Sequence, residues 1–164
     1  MKIILYFIFI MYTPFSLAEI INITIKGVVT ESACELKMKD IHIDFKKIYF
    51  KTMGVQQTSP SENIKIELIN CPSYIKNGKL IFSGTPDPIN PDYFKNNGTA
   101  KNVALELYDI ENTRTIKNGM TVIKSMNINT NSIVYPLTAR VIGYANGNAV
   151  GTFQSLVQFT VEYN

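Results

Sequence analysis

The 164-residue chain has no tryptophan, one histidine and two cysteines, and each scarcity removes a class of function. With His42 as the sole imidazole and no CxxC or HxxxH spacing, a zinc site has no ligand set, and no metal or other cofactor is expected. His42 also stands on the polar parity of an alternating stretch, and there is no Gly-x-Ser-x-Gly elbow for it to serve, so a hydrolase triad has no starting point. The 13 acidic residues are spread over strands and turns with no preferred pair for a glycosidase. An enzyme is therefore not expected. The formal net charge is only +3, with Lys and Arg scattered and the pair Lys46-Lys47 reading as a solvated face, which argues against a nucleic-acid partner. No long window carries apolar residues at i, i+3, i+4 and i+7, so helices are not expected either.

What is present begins with an export signal. Lys2 gives a positive start, Ile3 to Tyr12 is an unbroken apolar run, and Ser16-Leu17-Ala18 places small residues at a cleavage position. The run is shorter than the ~20 residues that span a bilayer. Residues 1–18 are read as a signal peptide and residues 19–164 as one exported domain. In an oxidising compartment its two cysteines, Cys34 and Cys71, have one possible pairing. Closing that loop would destabilise the unfolded chain by roughly 4 kcal/mol in the chain-entropy account.

Alternation with a period of two recurs along residues 19–164. Ile21, Ile23, Ile25, Gly27 and Val29 share one parity, as do Ile41, Ile43 and Phe45, and then Ile64, Ile66 and Leu68. Later strands are expected over 79–82, 103–108, 121–128, 134–144 and 152–163. Turn chemistry separates them at Ser59-Pro60-Ser61, Asn77-Gly78, Asn97-Gly98, Asn118-Gly119 and Asn146-Gly147. Short strands at this spacing predict an all-β, antiparallel sandwich of immunoglobulin-like type.

The two ends carry a resemblance to a known family. Ile23-Thr24-Ile25-Lys26-Gly27-Val28-Val29 ahead of Cys34 is similar to the donor strand and first cysteine of chaperone-usher fimbrial subunits of the type 1 and P kinds. Gly151-Thr152-Phe153 through Phe159-Thr160-Val161-Glu162-Tyr163-Asn164 resembles their last strand, with its characteristic glycine and penultimate tyrosine. Internally, 64–71, 82–87, 103–109 and 137–141 resemble further strands and turns of the same family, in the same order.

The resemblance implies an incomplete immunoglobulin-like sandwich that lacks its last strand and is completed by donor-strand addition. Residues 19–29 would be the donor strand and residues 30–164 the sandwich body. Ile21, Ile23, Ile25 and Val29 would fill a neighbouring subunit's groove, with Gly27 entering where a side chain does not fit. Gly151, Phe153, Val157, Phe159, Val161 and Tyr163 would border this chain's own groove and face a chaperone or a donor. The implied partners are a periplasmic chaperone, an outer-membrane usher and neighbouring pilin subunits. The implied destination is a fimbria on the cell surface, reached through the periplasm, with a contribution to adhesion. The short stretch ahead of Cys34 resembles minor adaptor subunits more than shaft subunits. The competing reading is a free secreted sandwich, such as a lectin or inhibitor, whose fold would be complete by itself.

Overall fold

The structure, a computed structural model, describes residues 33–50, 55–145, 147 and 150–164. The expected signal peptide and the N-terminal strand with Ile21, Ile23, Ile25, Gly27 and Val29 lie outside the described residues.

Among the described residues, ten strands form two antiparallel sheets. They are β1 (Glu35–Leu36), β2 (Gln57–Thr58), β3 (Glu62–Ile69), β4 (Asn77–Gly84), β5 (Phe94–Lys95), β6 (Val103–Asp109), β7 (Arg114–Ile116), β8 (Thr121–Ser125), β9 (Ile133–Gly143) and β10 (Val157–Tyr163). The larger sheet runs β1-β3-β9-β6-β5, with β2 also on β9 and β7 also on β6. The smaller runs β10-β4-β8. Alternation decides which side chains go inside. Leu68 of β3, Leu80 and Phe82 of β4, Leu107 of β6, Val122 of β8, and Ile133, Tyr135 and Leu137 of β9 fill the space between the sheets, each at most 5% exposed. The all-β sandwich expected from the sequence is the observed fold.

A disulfide joins Cys34, just before β1, to Cys71, just after β3. It ties the two-residue β1 to the edge of the larger sheet, where Glu35 and Leu36 pair with β3 and Lys37 N–H donates to Glu67 O at 3.0 Å.

Three expectations are corrected. Asn77-Gly78 is not a turn but the start of β4. A Cβ on Gly78 would lie 2.6 Å from the Tyr135 hydroxyl and 2.8 Å from Ile133 Cδ1, so the glycine serves a close approach of the two sheets. The stretch 41–45 keeps its alternating burial but joins no ladder. The last strand is β10 alone, because residues 152–156 are held by a different device.

Candidate functional site

The register of β10 against β4 pairs Phe159 with Phe82 and Val161 with Leu80. Phe82 exchanges both its backbone bonds with the β7–β8 turn, donating N–H to Met120 at 2.9 Å and accepting from Gly119 at 2.8 Å. Its backbone therefore faces away from β10, and the pairs in line with it are the non-bonded ones of the ladder. The bonds from β10 to β4 come instead from Gln158, Thr160 and Glu162, and the pattern continues to Asn164, which donates N–H to Asn77 O at 3.2 Å. By the same geometry, Val157, Phe159, Val161 and Tyr163 aim their N–H and C=O groups at the other side. There β10 is, among the described residues, the end of its sheet.

The side chains of those four residues point inward. Inward-facing residues on neighbouring β4 are almost completely buried, with Leu80 at 0% and Phe82 at 1%. On β10 the residues of equivalent facing, together with Phe153 upstream, are only partly buried while packing on the same core. Phe159 meets Phe82 with ring centroids 6.1 Å apart. A matching half-buried row, Leu36, Ile41, Ile43 and Phe45, packs on this core from the chain around and after β1. Phe45 meets Phe153 edge to face, with centroids 5.9 Å apart. A cavity of about 630 Å³ lies beside that pair, bounded by Ile43, Tyr49, Val150 and Gly151 among others.

Upstream of β10, the turn at 96–100 grips the chain from the sheet side. Asn97 N–H donates to Gln154 O at 2.6 Å and Ala100 N–H to Thr152 O at 3.0 Å. Asn96 Oδ1 accepts from both Gly98 N–H and Gln154 N–H at 2.8 Å. Here Gly151 has its place: a Cβ on it would lie 2.4 Å from the Ala100 backbone nitrogen. Gly98 is equally confined, since a Cβ on it would lie 2.1 Å from Thr152 O. Thr152 and Gln154 thus bond toward the body of the domain, as the even residues of β10 do.

At the other end, the Tyr163 hydroxyl donates to Cys34 O at 3.3 Å, linking the last strand to the disulfide. Burial raises the Tyr163 pKa. Nearby Tyr135 is fully buried with no partner for its hydroxyl, and burial, then the charge on Tyr163, raises its pKa as well.

Phe153, Val157, Phe159, Val161 and Tyr163, singled out from the sequence, thus share one facing, whereas Gly151 belongs to the grip rather than to the strand. Sequence reasoning missed the opposite row, although Ile41, Ile43 and Phe45 already showed their alternation. It also missed the part played by Asn96 and Thr99, which flank the expected Asn97-Gly98 turn. Among the described residues no group of His, Cys, Asp and Glu is placed to hold a metal.

A profile of the fimbrial protein family matches residues 23–164. Protein FimG of Escherichia coli strain K12 is 30% identical over 145 residues, covering 88% of this chain and 85% of FimG. Among solved structures, the P pilus rod subunit PapA superposes with a TM-score of 0.66 at 19% identity, over 81% of this chain and 100% of that one. A subunit from the structure of a chaperone-usher pilus superposes with a TM-score of 0.65 at 23% identity, over 87% and 94%.

Proposed function

The chain belongs to the fimbrial protein family, and on that premise we propose that it polymerises by donating its N-terminal strand and accepting another along β10. It is a chaperone-usher fimbrial subunit, a structural protein of a surface pilus. The observation that supports the finer reading is the outer side of β10, where apolar side chains are half-covered and backbone groups have no ladder neighbour among the described residues. An exposed edge of this kind pairs with any available strand, so it calls for a dedicated occupant.

In this reading a periplasmic chaperone covers the edge during export. At the outer-membrane usher, residues 19–29 of the next subunit then replace it. Ile21, Ile23, Ile25 and Val29 fill the seam between β10 and the 36–45 row, and Gly27 passes where the space is shallow. Gly151 secures the start of the accepting strand, and Tyr163 closes its far end against Cys34. The role is that of a minor adaptor subunit, on the ground of the short segment ahead of Cys34, with a contribution to adhesion as part of the fimbria.

Hydrogen exchange tests this directly. In the exported chain, amides of Val157, Phe159, Val161 and Tyr163 should exchange faster than those of Gln158, Thr160 and Glu162. A synthetic peptide of residues 19–29 should slow the odd set, and a scrambled peptide should not. Equal protection of both sets without any peptide would overturn the reading.

A further inference from the structure

The larger sheet has a second face, turned away from the core. Register places Asn63, Thr138 and Tyr108 in one row across β3, β9 and β6, and sets Arg140 opposite Glu106 in the next. With Ser61 before β3 and Ile110 after β6, these residues line a shallow depression of about 550 Å³.

Two features distinguish it from an ordinary solvated sheet face. Arg140 is fixed, because its Nε donates to the carboxylate of Glu106, which is only 4% exposed and whose other oxygen accepts from the Thr115 hydroxyl at 3.1 Å. The guanidinium plane and its terminal amino groups are thereby held at a set position. Around it, the side chains of Ser61, Asn63, Tyr108 and Thr138 make no hydrogen bond to any described residue. Several free donors and acceptors on three adjacent strands thus converge beside an aromatic ring and a planar cation.

We propose that this face is a low-affinity binding site for a neutral saccharide, with ring hydroxyls on Asn63, Thr138, Ser61 and Arg140 and the apolar face of a sugar ring on Tyr108. The volume falls in the range of small-molecule sites, ~300–1,000 Å³. The charge of Arg140 is already answered by Glu106, so a phosphate or sulfate gains little there. A docked protein would be expected to find an apolar centre, and the only large exposed apolar side chain lining the depression is Ile110, at its margin. This inference concerns a face separate from β10 and does not depend on how that edge is filled.

The exported full chain should be applied to an array of neutral hexose and N-acetylhexosamine oligosaccharides. The best ligand should then be titrated to about 10 mM, the range of weak sites, while amide shifts are followed. Saturable shifts are expected at Asn63, Tyr108, Thr138 and Arg140. The double variant Asn63→Leu, Thr138→Val should weaken binding by about tenfold or more with unchanged thermal unfolding, since both side chains lack partners within the fold. Arg140→Lys, which keeps the charge beside Glu106 but loses the planar fork, should weaken it too. Absence of any neutral ligand, unchanged affinity in the double variant, or preference for phosphate would each overturn the proposal. So would self-association through this face that the double variant abolishes and sugar does not affect.

Discussion

Gly78 and Tyr135 illustrate how single residues set the spacing of the two sheets. Tyr135 is 0% exposed and its hydroxyl, without a partner, abuts the place a Gly78 Cβ would take, 2.6 Å away. A buried hydroxyl without a hydrogen bond costs ~1–3 kcal/mol. Tyr135→Phe should therefore stabilise the domain or leave it unchanged, despite the loss of an atom from the core. Gly78→Ala should destabilise by ~1–3 kcal/mol through overpacking, and by less in the Tyr135→Phe background. A double-mutant cycle in urea measures all three, and a strongly destabilised Tyr135→Phe would refute this account of the contact. Neither residue's task was legible in the sequence. Asn-Gly carries a strong turn signal, and only the contact across the core explains why this glycine lies in a strand.

Among the elements, the long strands were readable because one face of each is buried and the other solvated. Ile64, Ile66 and Leu68 mark β3 this way, and the inner row of β9 does the same. Shorter elements such as β2, β5 and β7 are set by the neighbours they reach rather than by any pattern of their own. The stretch 41–45 shows the opposite limit, since its alternation survives as alternating burial without a ladder. Periodicity reports which side faces the core and says nothing of whether a neighbouring strand is there to bond. The grip of 96–100 on 152–154 was illegible for a related reason, as side-chain oxygens replace part of a ladder there. Asn96 makes three short hydrogen bonds, to Gly98, Ala100 and Gln154. Asn96→Ala should lower stability by about 2 kcal/mol and speed amide exchange at Gly98 and Gln154, while Gln158 and Thr160 stay protected. Loss of protection along the whole of β10 would instead show that the grip and the strand are one cooperative unit.

At the scale of the whole molecule, the sandwich has a seam between the last strand and the chain that follows Cys34, lined on both sides by half-buried apolar side chains. The sequence supplies a segment of matching character in residues 19–29, whose alternating isoleucines would be as insoluble alone as the seam they match. Family membership, the side of β10 that no described strand pairs with, and that segment together support a fold that is one strand short and is finished by another molecule. The most direct measurement is thermal unfolding of a chain in which a copy of residues 19–29 follows Asn164 through a short flexible linker. Joining the strand turns a bimolecular contact into an intramolecular one, with an effective concentration on the order of millimolar. The account predicts a monomer whose unfolding midpoint rises by more than ~10 °C, with much of the gain lost when the grafted counterpart of Gly27 is made bulky. A grafted chain no more stable than the ungrafted one, itself monomeric, would contradict it.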